Sequence, residues 1–349
     1  KAALEGFSEV MGTEILVFYP REGVSKIQER QMVTQEGENT HVLAIEGNFD
    51  DAQNKVKEVF GDRSFREELA EQGYMFSSAN SINIGRLVPQ VAYYVYAYGM
   101  LLKRGEIREG EEINFTVPTG NFGNILAAYY ARKIGVPIGK LICASNINNV
   151  LYDFINTGIY DRNRDLVLTS SPSMDILVSS NLERLLYDIS GHDSSMVRNL
   201  IDSLNSRGRY EISQKMKEGL SCFYGGYSTE EDTLKAIRSA YFDLDYLIDT
   251  HTAVGFDVYR KYLDETGDRR KNVIVATANP FKFPAAVIKA IGGKVEGKDE
   301  IALIDELSRV TGRGIPARIE GIGQKKVLHR QVIEKDRMRQ AIKNILNIS

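Results

Sequence analysis

Ile113-Asn-Phe-Thr-Val-Pro-Thr-Gly-Asn-Phe-Gly-Asn-Ile-Leu-Ala-Ala-Tyr-Tyr-Ala-Arg-Lys133 is the stretch on which the reading of the whole chain turns. It opens with an apolar run short enough for a buried strand and closes with a helical period, and Pro118 to Asn124 join the two in one turn. A strand that passes through a glycine-bearing turn straight into a helix is half of a crossover unit. Such units make parallel sheets, because parallel neighbours cannot be joined by a hairpin.

The pattern repeats on either side. Further strands are expected at Ile15 to Phe18, His41 to Ile45, Lys140 to Ala144, Leu166 to Leu168 and Val273 to Ala276. Helices are expected over Ser25 to Thr34, opened by a Ser25…Gln28 capping box, and over Asp50 to Phe60, Ile84 to Lys103, Asn121 to Lys133 and Gln331 to Leu346. Most of the strands read as apolar throughout, which is the signature of a sheet buried on both faces. The fold class is therefore α/β, with two parallel-sheet lobes and helices on both faces. A Ser- and Asn-rich interruption at Met75 to Asn83 divides them, giving a smaller lobe over 1–78 and a larger one over 79–349. Residues of about 190–228 read as a helical insertion without a strand.

Composition narrows the function. A length of 349 residues, 43% of them apolar and 26% charged, is that of a folded chain of about two domains and excludes disorder. The apolar run Val91 to Leu102 is well short of the roughly 20 residues that span a bilayer, so no membrane partner is expected. Two cysteines, Cys143 and Cys222, build neither a disulfide framework nor a Cys-rich metal site; they read as small buried hydrophobes in a reducing compartment, hence the cytoplasm. A net charge of −3 gives no global footprint for nucleic acid, so an anion must be caught locally. Four histidines in no Ser/His/Asp order leave neither a hydrolase triad nor a metal set.

Three constellations stand at expected strand ends or helix starts. Pro118 to Asn124 would present bare backbone N–H groups at a helix N-terminus, where the macrodipole and two glycines suit a close phosphate; the plain alternative is a tight turn that binds nothing. The glycine spacing is wrong for a dinucleotide, no acid ends the next strand, and no P-loop occurs, so a smaller phosphorylated cofactor remains. Ser77-Ser-Ala-Asn-Ser-Ile-Asn-Ile-Gly-Arg86 gathers amides and hydroxyls around one guanidinium, suited to a phosphate or carboxylate or, alternatively, to a helix cap. Ala276 to Phe283 puts Thr277 and Lys282 at the carboxyl end of a strand, where open α/β sheets bind ligands; ordinary turn chemistry competes. The acids of Asn48 to Gln53 read as helix-start acids, and Ser170 to Asp175 with Ser180 to Arg184 as a polar loop leading into a helix.

Taken in order, Ser25 to Met32, Gly47 to Gln53, Asn80 to Arg86, Pro118 to Asn124, Ser171 to Ile176, Ser180 to Arg184 and His251 to Gly255 resemble the signatures of threonine synthase. The resemblance runs to about Lys282. It implies a fold-type-II pyridoxal 5'-phosphate enzyme, similar to the tryptophan synthase β chain, that converts O-phospho-homoserine and water to threonine and phosphate. By motif position Gly120, Asn121, Phe122, Gly123 and Asn124 would cradle the cofactor phosphate, and Thr277 would meet the pyridine nitrogen. Asn80, Ser81, Asn83 and Arg86 would receive the substrate phosphate.

Two departures accompany it. Lys1-Ala-Ala resembles the residues just after the family's Ser-Gly-Asp-Thr-Gly loop, and the chain opens without an initiator Met. The expectation is therefore a fragment whose smaller lobe is incomplete at its N-terminus, whose Schiff-base lysine lies upstream and which is itself inactive, so no catalytic residue is assigned. Asn279 stands where the family commonly has a histidine. Two other readings of the same residues are a non-catalytic anion-binding protein derived from the enzyme and another fold-type-II lyase such as a serine or threonine dehydratase. The dehydratase reading leaves Arg86 without a purpose.

Overall fold

The computed structural model describes residues 2–21, 24–47, 49–78 and 83–348. Among them are nine strands: β1 Ile15–Pro20, β2 Thr40–Glu46, β3 Ile113–Pro118, β4 Ile138–Ser145, β5 Ile159–Asp161, β6 Arg209–Glu211, β7 Phe223–Tyr227, β8 Asn272–Ile274 and β9 Val332–Glu334. Contacts divide the chain into two units, one made of Lys1–Ala79 with Gly297–Ser349, the other of Asn80–Glu296.

In the first unit β1, β2 and β9 form a parallel sheet in that order. Its helices start as their caps dictate: Ser25 Oγ accepts the Gln28 N–H (3.2 Å) ahead of Lys26–Val33, and Asp62 does the same for Phe65 (3.0 Å) ahead of Arg63–Glu71. Here the expected larger lobe of 79–349 is corrected. Residues 297–349 return to the first unit, and the segment expected to be helical from Gln331 begins as β9. β2 has an edge to fill: Ala44 N–H donates to Gln331 O (2.9 Å), and Ala44 to Glu46 pair with Val332 to Glu334. Helix begins only at Met338–Ile345, whose Met338 and Ile342 pack with Ile45, Val59, Phe65 and Leu69.

The second unit holds a four-stranded parallel sheet in the order β7-β4-β3-β8 and a small antiparallel pair, β5 with β6. Alternation along β4 shows why both faces are covered. Leu141 and Cys143 join one apolar cluster with Leu126, Tyr94 and Phe154, while Ile142 and Ala144 join another with Val254 and Val258 of the helix Thr250–Thr266. Cys143 and Cys222 are free and buried, and burial pushes the Cys143 thiol up to about 12. No helix among the described residues is long and apolar enough to cross a membrane.

Two local readings are corrected in this unit. The stretch of about 190–228, read as lacking a strand, contains β6 and also β7, which is a member of the main sheet. The Gly225-Gly226 pair inside β7 weakens any strand signal, yet both glycines sit where little space is left for a side chain. A Cβ on Gly225 would lie 3.1 Å from Ile155 Cβ, and one on Gly226 would lie 2.5 Å from Val258 Cγ1, because helices press on the two faces. Leu166 to Leu168, read as a strand, is irregular and Leu168 is 84% exposed. Its backbone is satisfied by a side chain instead: Val167 exchanges both of its backbone groups with the Asn148 amide, at 2.8 and 2.9 Å.

Candidate functional site

The turn after β3 is built by sorting its polar groups. Thr119 N–H donates to Ala144 O (2.8 Å) and Thr119 Oγ1 to Val117 O (2.6 Å), which ties the start of the turn to the sheet. Beyond it Phe122 O takes the first bond of the helix, from Leu126 N–H (3.0 Å), and the acceptors of Gly120, Asn121 and Asn124 meet donors from elsewhere in the unit. Ser179 Oγ donates to Gly120 O (2.7 Å), and Asn181 donates to Asn121 O through its backbone N–H (3.1 Å) and its Nδ2 (2.9 Å). Ser180 Oγ reaches Asn121 Oδ1 (3.2 Å), while Tyr94 OH donates to both Asn124 O (3.0 Å) and Asn124 Oδ1 (2.7 Å).

The donors are treated the opposite way. Among the described residues, the backbone N–H groups of Gly120, Asn121, Phe122, Gly123 and Asn124 find no acceptor. Phe122 is the N-cap of the helix Gly123–Lys133, contributes no side-chain cap and sits in the left-handed region at φ 62. A bulky residue held there costs on the order of 1–3 kcal/mol. Its buried ring, packed near Phe223, keeps it in place. A helix of this length whose first N–H groups are bare, on a mostly buried turn, has the free donors and the dipole end that favour an anion. Gly120 is required for a steric reason: a Cβ there would lie 2.7 Å from Ser173 O.

Asn124 and Thr277 are brought together, since both line one cavity of about 450 Å³ with Tyr93, Tyr94, Phe115 and Val275. Thr277 follows β8, whose pairing continues as Val275 N–H donates to Thr116 O (2.9 Å). Asn279 caps the short turn Pro280–Lys282 through Oδ1, which accepts the Phe281 N–H (3.0 Å).

Asn83 and Arg86 start the helix Ile84–Lys103; Asn83 Oδ1 accepts the Gly85 N–H (2.8 Å), and Arg86 is exposed on the first turn. Asn80 and Ser81 lie outside the described residues. Arg86 stands two helical turns before Tyr94, about 12 Å along the axis at 1.5 Å per residue. Ser173 and Asn181 lie in motifs of the resemblance that have no assigned part in the site, and Ser179 and Tyr94 carry no local signal that would assign them to it. Tyr94 reads as core in an apolar helix, and the others lie some fifty to sixty residues away from the turn they brace.

A parallel α/β unit carrying a bare-N–H glycine turn at the carboxyl end of a central strand has the architecture of the fold-type-II pyridoxal-phosphate enzymes. Comparison with known proteins narrows this. A family model described as threonine synthase, C-terminal, matches residues 252–333. The structure of PLP-bound threonine synthase from Brucella melitensis is 37% identical with a TM-score of 0.82, covering 99% of this chain and 68% of that one. Threonine synthase from Pseudomonas aeruginosa is 39% identical over 290 residues, 83% of this chain and 59% of that protein. Threonine synthase-like 1 from Homo sapiens is 42% identical over 298 residues, again 83% of this chain but 40% of that protein. The chain belongs to the threonine synthase family. It spans less than half the length of Threonine synthase-like 1 and about three fifths of the Pseudomonas enzyme.

Proposed function

We propose that the intact protein is a threonine synthase, a pyridoxal 5'-phosphate-dependent lyase that converts O-phospho-homoserine and water to threonine and phosphate. The observation that carries the reading is the sorted polarity of the 118–124 turn, in which the carbonyls of Gly120, Asn121 and Asn124 accept from distant residues while five consecutive N–H groups find no acceptor among the described residues. Those donors fit a phosphate monoester, to which Gly120 to Asn124 contribute backbone N–H groups at a helix start.

Thr277, lining the same cavity as Asn124, offers a hydroxyl to a ring nitrogen, a partner that hydrogen-bonds without delivering a full charge. When bound, the cofactor supplies an electron sink for carbanion chemistry. The chain's own residues orient it and shelter it. Arg86, with Asn83, Asn80 and Ser81, is assigned to the substrate phosphate, because a guanidinium offers a two-pronged set of donors to the leaving anion. Two anion sites on separate elements suit a reaction that keeps one phosphate and releases another.

The assay is phosphate release from O-phospho-homoserine by the intact protein with saturating cofactor, with threonine identified as product. Release is expected; cofactor retention without release would reject the synthase reaction. A second reading, an anion-binding relative without that activity, draws on the 42% identity to Threonine synthase-like 1 against 39% and 35% to the threonine synthases of Pseudomonas aeruginosa and Saccharomyces cerevisiae. That reading predicts tight pyridoxal phosphate and no turnover.

A further inference from the structure

The motif His251-Thr-Ala-Val-Gly255 has no assigned part in holding cofactor or substrate, yet its first residue is 3% exposed and fully engaged. His251 Nδ1 lies 3.3 Å from Asp249 Oδ1, and His251 Nε2 accepts the Ser173 N–H at 3.2 Å. Asp249, 1% exposed, caps the helix Thr250–Thr266 by accepting the N–H groups of His251 (2.8 Å) and Thr252 (3.2 Å), and it also accepts the Thr252 hydroxyl. Burial alone would raise its carboxyl; the hydrogen bonds from His251 and Thr252 outweigh burial and hold it below the usual carboxylate range. The ring of Phe283, 4.9 Å away, packs against the imidazole.

One tautomer satisfies this arrangement, with the proton on Nδ1 facing Asp249 and the lone pair on Nε2 facing Ser173. Ser173 then links two sites through one residue. Its N–H is held by His251, while its carbonyl is the atom that a Cβ on Gly120 would approach to 2.7 Å. Farther along the same helix, Gly255 packs on Pro118, where a Cβ would lie 3.2 Å from the ring. The motif thus touches the start of the glycine turn directly and its second part through Ser173.

We infer that His251 is a positioning residue: the Asp249–His251–Ser173 chain fixes the wall against which Gly120 rests and so sets the shape of the turn that receives a phosphate. The inference rests on the phosphate role proposed for that turn. It is tested by equilibrium binding of pyridoxal 5'-phosphate and of pyridoxal, which lacks the phosphate, to the intact protein and to His251→Gln and His251→Asn. Gln can keep an acceptor toward Ser173; Asn can keep a donor toward Asp249 but is too short to reach Ser173.

Wild type should prefer the phosphorylated form. His251→Asn should lose roughly tenfold or more of that preference, as expected when a buried N–H is orphaned, while His251→Gln stays within about threefold. Equal preference in His251→Asn and wild type, or equal losses in both variants, overturns the positioning role. A wild type with no preference strikes the phosphate assignment itself and is thereby distinguished. Should the variants fail to fold, nitrogen NMR of the wild-type imidazole decides: protonated Nδ1 with bare Nε2 is expected, and the opposite tautomer or the imidazolium refutes the chain.

Discussion

Replacing Gly120 by alanine probes the turn with a single methyl group. The new Cβ would sit 2.7 Å from Ser173 O and 3.3 Å from Met174 Cα, about 0.7 Å inside the 3.4 Å at which ordinary contact begins. Neither neighbour is a flexible side chain. Ser173 is held through its N–H by His251, the adjoining turn is closed by Met174 N–H to Ser171 O (2.9 Å), and Gly120 O is held by Ser179. Relief must therefore come from backbone displacement, and overpacking of this kind costs about 1–3 kcal/mol. For a unit of this size that corresponds to a fall in Tm of roughly 2–4 °C per kcal/mol. The displaced atoms carry the bare N–H groups, so preference for pyridoxal phosphate over pyridoxal should fall about tenfold or more, while affinity for pyridoxal changes little. The measurements are thermal unfolding of the ligand-free protein and paired equilibrium binding. A variant that melts within a degree of wild type and keeps its phosphate preference would show that the steric reasoning is wrong.

Other perturbations separate the remaining parts. Tyr94→Phe keeps a buried ring but removes the donor to Asn124, and urea unfolding should show a loss of about 1–2 kcal/mol with an unchanged m-value. Gly226→Ala should cost about 1–3 kcal/mol through the clash with Val258, and Val258→Ala in the same chain should recover part of it; strict additivity in that double-mutant cycle would contradict the packing. Arg86→Ala should raise KM for the phosphorylated substrate far more than it changes cofactor retention, and equal effects on both would argue against two anion sites. Burial tends to raise Asp268, but bonds from Tyr262 (2.5 Å) and Asn114 (2.9 Å) bring it down to about 2. A lowered carboxyl contributes stability that is present above its unfolded value and lost as pH falls. Wild type should therefore lose part of its advantage over Asp268→Asn between about pH 4 and pH 2, read by denaturant midpoints at each pH.

Much of this fold was legible because the decisive signals are local. The helix Ile84–Lys103 lies where its period and its Asn83 cap put it, and β3 with its turn and helix follow from apolar run, glycine and period. What failed locally failed for a physical reason. β7 hides behind two glycines that exist because helices crowd both its faces, and β9 is a strand because β2 had an open edge. The apolar run Leu166 to Leu168 misleads in the opposite sense, since an Asn148 amide, rather than a neighbouring strand, takes its backbone.

By itself the sequence determined the class of fold, the family, and the turn with the composition to meet an anion, since those depend on period, punctuation and ordered motifs along the chain. Only the tertiary structure decided that the carbonyls of Gly120, Asn121 and Asn124 are engaged while the N–H groups of 120–124 find no acceptor among the described residues. That sorting is done by Tyr94, Ser179 and Asn181, residues brought to the turn from distant positions. A hydrogen bond depends on distance and direction in space, and neither is written in the spacing of residues along the chain.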